Sequence, residues 1–349
     1  MRSVLWLSLS LVLSAVRALP LVENEREVIS LQIFRTKTPP IAGFAKGYKH
    51  PWYEFLSVVL FIGSDLQIFN YELSTTTADL LVNFCNDSAP IDLTQCFNKK
   101  TSDSFKVINE HVASDKVAVG GLFDTAEFPT DKITVDRDGL AGVMGAGWPS
   151  LSKYGLPSVW MSSLATGQKK FGIFIAHDGI SRSLKIGGDL NDTECDLSTM
   201  QWHSLSSLSY WQVPVDGYKY GKLHKQWRQQ AILDTGSGWI GVPGNYLIEM
   251  MNRNNVTFDE SIGAYTVDCR RALALPVLEL TIGGKQHKIF PSYYVDRLNS
   301  LDNGYCVVNL KSSRKAFGAD WTLGLPFLQS YCTSYDYDNK RIGIAENMF

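Results

Sequence analysis

The amino-acid sequence predicts an all-β protein. Short runs of apolar and β-branched residues recur along nearly the whole length, each bounded by Gly, Asn, Asp or Pro. Helical spacing is confined to two stretches, 156–164 and 245–252. At 349 residues, 45% hydrophobic and 19% charged, the chain is an ordered globular protein long enough for two lobes. Its formal net charge is -2, with acids and bases interspersed. No basic stripe suits nucleic acid, so no nucleic-acid partner is expected.

Taken in order, residues 1–18 have the form of a secretory signal peptide: Arg2, then an apolar run over 4–16, then the small residues Ala15 and Ala18. No later run reaches spanning length, so no membrane span is expected. Residues 19–50 are mixed. Charges cluster at 23–27, 28–34 alternates like a strand, and 37–49 is basic and rich in Pro and Gly; this is either a pro-segment or an N-terminal strand and linker.

Strands are predicted at 55–62, 66–73, 78–84, 116–122 and 133–135, and 142–149 is a glycine-punctuated apolar turn. After Gly167 strands resume at 171–176, 183–187, 200–205 and 210–215. Further strands fall at 265–269, 277–282, 289–290, 305–310, 331–335 and 341–345.

The stretch that bears on chemistry is 231–243. Ile232 and Leu233 enter a tight Asp234-Thr235-Gly236-Ser237 turn, and Trp239, Ile240 and Val242 leave it. A carboxylate between two buried strand segments has an ionisation its surroundings can tune. The Asp-Thr-Gly tripeptide alone decides little, with roughly 0.1 chance occurrences in a chain of this length, and a plain hairpin turn uses the same residues.

Six cysteines follow the leader: Cys85, Cys96, Cys195, Cys269, Cys306 and Cys332. Their even number after a secretory leader predicts three disulfides. No CxxC pair or Cys/His cluster suggests a metal, and no cofactor is expected. Glycosylation sequons begin at Asn86, Asn191 and Asn255, each in a polar neighbourhood.

The two halves repeat one pattern. Leu233-Asp234-Thr235-Gly236-Ser237 is followed about ninety residues on by Trp321-Thr322-Leu323-Gly324; Leu73-Ser74-Thr75-Thr76-Thr77 is followed by Gly142-Val143-Met144-Gly145. With Tyr210-Trp211-Gln212-Val213, Arg341-Ile342-Gly343-Ile344-Ala345, Ile62-Gly63-Ser64-Asp65-Leu66-Gln67 and Gly145-Ala146-Gly147-Trp148-Pro149, these motifs resemble the pepsin-like aspartic peptidases over nearly all of 52–349. The resemblance implies a bilobal fold: two β-barrel-like lobes, 51–170 and 171–349, with a central cleft and one aspartate from each.

Such a site needs two carboxylates sharing one proton around a water. Asp234 is the retained aspartate. At 74, where the resemblance places the other, stands Ser74, whose hydroxyl is a poor base, and Thr76 replaces a Gly. Glu72 and Asp79 are the nearest other carboxylates in sequence, and neither is expected to take the vacant place. Thr75, Thr235, Gly236 and Ser237 are expected to line the substrate cleft.

Only 106–114 is left for the hairpin that covers the family's cleft, and no Tyr occurs between Tyr71 and Tyr154. Leu325 stands where relatives usually have Asp. The resemblance also frames the cysteines: Cys85 with Cys96, Cys269 with Cys306, and the remaining Cys195 with Cys332 unless those two are free thiols. The expectation is a secreted pseudo-peptidase, monomeric, holding a peptide or protein in its cleft; the alternatives are an active endopeptidase with an atypical site, and a lysosomal or other endomembrane lumen as its location.

Overall fold

The computed structural model describes residues 28–36, 53–85, 95–119, 122–131, 133, 140–159, 168–177, 181–297, 301, 303–313 and 318–349; for 28–36, 53, 54 and 124 it gives the backbone alone. Strands dominate and form sheets of thirteen, seven and four strands. The period-two patterns are half-buried strands. Gln67–Ser74 puts Phe69, Tyr71 and Leu73 into the core while Ile68 faces solvent. It pairs antiparallel with Tyr53–Ile62.

The thirteen-stranded sheet runs beneath both halves. Tyr331–Asp336 lies between Lys170–Ile175 and Arg341–Asn347, antiparallel to each. Val28–Thr36 fills the place between Arg182–Ile186 and Tyr53–Ile62, so the alternation at 28–34 is a sheet strand. The seven- and four-stranded sheets draw all their strands from residues 212–323. Buried aromatics join the halves. Trp211, fully buried, donates its indole N–H to the Ala146 carbonyl at 2.7 Å, and the Tyr337 hydroxyl donates to the same oxygen at 3.0 Å.

Some expectations change. The strand predicted at 116–122 is the end of one arm and the start of the next in a hairpin, Val112–Val119 against Leu122–Pro129. Gly120 and Gly121 break the apolar run that suggested continuity. Leu223–Leu233 is an eleven-residue strand although the polar residues after Leu223 are exposed; pairing to Gln212–Tyr220 holds that half. Helix Gly244–Arg253 matches the predicted 245–252, and the buried helix Leu325–Ser330 is an addition. Residues 134–135, most of the predicted helix 156–164, the leader 1–18 and Asn86 lie outside the described residues.

Disulfides join Cys85 to Cys96, Cys195 to Cys332 and Cys269 to Cys306. Asn255 is exposed on a turn with φ 51, and Asn191 sits in a surface turn where its Oδ1 accepts the Thr193 N–H at 2.9 Å. Among the described residues no helix is long and apolar enough to cross a membrane.

Candidate functional site

The repeat read in the sequence is a repeat in space. Gln67–Ser74 runs parallel to Gly142–Gly145, with Ser74 opposite Gly145. Leu223–Leu233 runs parallel to Trp321–Leu323, with Leu233 opposite Leu323. After each turn a three-residue strand, Leu80–Val82 or Ile240–Val242, pairs antiparallel with that same partner. Each turn packs against the glycine of the other motif. A Cβ at Gly145 would lie 2.6 Å from the Asp79 carbonyl oxygen, and one at Gly324 would lie 2.2 Å from that of Ser237. Both apolar-Gly turns therefore need glycine for the close approach of backbones.

The two turns meet tip to tip. The Thr75 hydroxyl donates to the Leu233 carbonyl at 2.8 Å, and the Thr235 hydroxyl donates to the Leu73 carbonyl. Each hydroxyl oxygen accepts the other threonine's backbone N–H at 3.1 Å. These four hydrogen bonds cross the junction between halves among groups shut off from water; both threonines are 0% exposed. Thr75 and Thr235, expected along the cleft, spend their hydroxyls on binding the lobes together. Ser237 is likewise turned inward, its hydroxyl donating to the Trp239 carbonyl at 3.1 Å.

Ser74 and Asp234 each precede one of these threonines and so occupy corresponding places in the two halves. Asp234 is 9% exposed, and its Oδ1 accepts the Gly236 N–H at 2.9 Å. Its own N–H donates to the Leu323 carbonyl at 3.0 Å. Nearby, burial raises the Tyr335 phenol well above its ordinary value and the Asp234 charge raises it further, against a hydrogen bond from Thr333. Ser74 is 3% exposed, and its hydroxyl lies 3.2 Å from the Thr76 hydroxyl and 3.3 Å from that of Thr77. The serine is folded onto its own turn.

The other two carboxylates separate. Asp79 is buried with Oδ2 accepting the Lys153 N–H at 3.0 Å. Glu72 instead reaches the junction. A Cβ built on Gly236 would lie 2.6 Å from Glu72 Oε1 and 3.3 Å from Asp234 Oδ1, so the two carboxylates converge on one point beside Gly236. Sequence reasoning set Glu72 aside. The signal that finds it is the strand period, since a residue two before Ser74 shares its face.

In the N-terminal half, the short arm Lys106–Val107 pairs with Ser114 and Ala113 around a tip at 108–111, and the same strand goes on to form the longer hairpin Val112–Val119 against Leu122–Pro129. His111 in that tip stacks on Tyr154, with ring centroids 5.2 Å apart. A separate groove of about 600 Å³, lined by residues including Trp202, His203, Arg228 and Gly283, shares no residue with the Ser74–Asp234 junction. Among the described residues, no group of three or more His, Cys, Asp or Glu could hold a metal ion.

Residues 58–347 match the family model for eukaryotic aspartyl protease. The chain is 30% identical over 252 residues to aspartic protease 1 of Caenorhabditis elegans, a match covering 68% of this chain and 63% of that protein. It is 27% identical over 326 residues to aspartic protease 17 of the same organism, covering 81% of each. It is 26% identical over 311 residues to pepsin A of Bos taurus, covering 81% of this chain and 82% of that one.

Proposed function

The chain belongs to the eukaryotic aspartyl protease family, and from that premise we propose that it is a secreted, monomeric pepsin-type protein whose cleft binds peptides or proteins and hydrolyses them weakly or not at all. The observation that carries this reading is Ser74. It stands in the place that corresponds to Asp234, and its hydroxyl is engaged with Thr76 and Thr77. A hydroxyl there can neither hold a charge near neutral pH nor split the ionisation of Asp234 as a second carboxylate would.

The junction that fixes the two lobes is nevertheless intact, which supports a retained cleft. Three disulfides, the leader-like residues 1–18 and the sequons at Asn86, Asn191 and Asn255 support secretion as a glycoprotein. The second reading is an active aspartic-type endopeptidase with an atypical site, and the carboxylate of Glu72 beside Asp234 is the observation that favours it.

Equilibrium binding of a fluorescent, unfolded polypeptide between pH 5 and 7.5 tests the proposal. Saturable binding with the polypeptide recovered at full length is expected. Absence of binding at every pH refutes the retained cleft.

A further inference from the structure

We propose that the groove beside Arg228 is a binding site for a small amphipathic carboxylate, its carboxylate held by Arg228 and the His203 ring and its apolar body lying against Trp202, Leu205 and Pro214. The groove shares no residue with the Ser74–Asp234 junction, so this site stands or falls apart from the cleft-binding reading.

The walls come from three separate parts of the C-terminal half. Trp202 and His203 lie near the end of Cys195–Ser204, the edge strand of the thirteen-stranded sheet, and Leu205 follows it. Pro214 and Arg228 belong to the paired strands Gln212–Tyr220 and Leu223–Leu233. Gly283 is in the turn between strands Leu278–Ile282 and Lys285–Ile289. The register of Gln212–Tyr220 with Leu223–Leu233 shifts between Val215 and Gly217, whose partners are Gln229 and Gln226, so the pair bulges where Arg228 stands. A bulge re-aims the side chains it carries. The resulting space of about 600 Å³ suits a small organic molecule.

The polar groups of the groove are donors with unspent capacity. Arg228 is exposed, and among the described residues its side chain makes no hydrogen bond or ion pair. The neighbouring cations are already engaged. Lys285 lies 3.8 Å from Glu346; Arg341 is held by Asp336 at 2.9 Å, with its guanidinium 4.1 Å from the centre of the Trp202 ring. No carboxylate is among the lining residues.

His203 is 8% exposed, and its Nε2 has no hydrogen-bond partner. Its Nδ1 lies beside Gly283, where a Cβ would be 2.6 Å away, so glycine is what leaves that nitrogen uncovered. Burial, then the Lys285 charge, holds the imidazole below its ordinary value against the Asp216 charge. The neutral ring has one N–H to donate. A carboxylate accepts from a guanidinium and an N–H together, and such charge-assisted bonds are stronger than neutral ones. Leu205, Pro214 and the indole offer apolar surface to the rest of the ligand.

The test titrates cinnamate and its neutral analogue cinnamamide into the folded protein at pH 7.5, following the ring ¹H–¹³C signals of His203. Cinnamate is expected to shift them saturably with a Kd of about 1 mM or below, and cinnamamide to bind about tenfold more weakly. Arg228→Gln, an exchange at an exposed position, is expected to bring acid and amide to nearly equal affinity. Lys225→Gln, which removes another exposed positive charge from the same strand, is expected to keep the preference. His203 signals that do not move, equal binding of acid and amide by wild type, or a preference that survives Arg228→Gln would each overturn the site. Loss of the preference in Lys225→Gln as well would overturn it too, because the acid would then be responding to the overall charge of the strand.

Discussion

Acidification should destabilise this chain through a buried histidine pair in the C-terminal half. His287 is 0% exposed on strand Lys285–Ile289, with its ring packed on Tyr331 at 5.0 Å and on His203 at 6.0 Å. Neither ring nitrogen of His287 has a hydrogen-bond partner, and Nε2 of His203 lacks one as well. Burial, then the charges of His203 and Lys285, pull the His287 imidazole from 6.5 down to about 4. Burial lowers His203 too, with Lys285 adding to it and Asp216 opposing.

The unfolded chain binds its His287 proton near pH 6.5 and the folded chain only near 4. Between those values the unfolded state carries more protons, so stability rises with pH across the window and is lost on acidification. The loss approaches about 3 kcal/mol by pH 4, at 1.36 kcal/mol for each tenfold change in proton affinity. Urea denaturation at pH 7.5, 6, 5 and 4 measures it, with the slope m checked for constancy. His287→Phe should lose about 3 kcal/mol less than wild type over the same range, any packing penalty being common to all pH values. Parallel losses in the two proteins would refute the reasoning.

Two other perturbations probe the scaffold. Thr235→Val keeps the side-chain shape but leaves the buried Leu73 carbonyl and Thr75 N–H without the Thr235 hydroxyl; equilibrium unfolding should show a loss of about 2–4 kcal/mol. Replacing Cys195 and Cys332 by Ala opens a cross-link of sequence separation 137, against 11 for Cys85 and Cys96. Loop-closure entropy gives upper values of about 5 and about 3 kcal/mol, so melting temperature should fall further for the first pair.

Much of the architecture was legible because its causes are local. Alternation in Gln67–Ser74 records one buried face, and Gly145 and Gly324 record two places where backbone passes too close for a Cβ. Asp234-Thr235-Gly236 stands out because a tight turn between buried strands restricts composition. Other features depend on partners far away in the chain. The exposed half of Leu223–Leu233 is a strand because Gln212–Tyr220 pairs with it, and its own polar residues give no sign of that.

The threonine hydroxyls at 75 and 235 bind across 160 positions of sequence, so no local pattern distinguishes them from cleft-lining groups. Glu72 shows the same limit: its strand face is readable, but its approach to Gly236 exists only once the lobes have docked.

The most direct test of the account is turnover of an unfolded protein substrate from pH 3 to 7 by wild type, Asp234→Asn and Ser74→Asp. Wild type should release fragments no faster than Asp234→Asn, while Ser74→Asp should gain at most a small rate. Steady wild-type turnover that disappears in Asp234→Asn would contradict the claim that hydrolysis departed with the carboxylate at position 74.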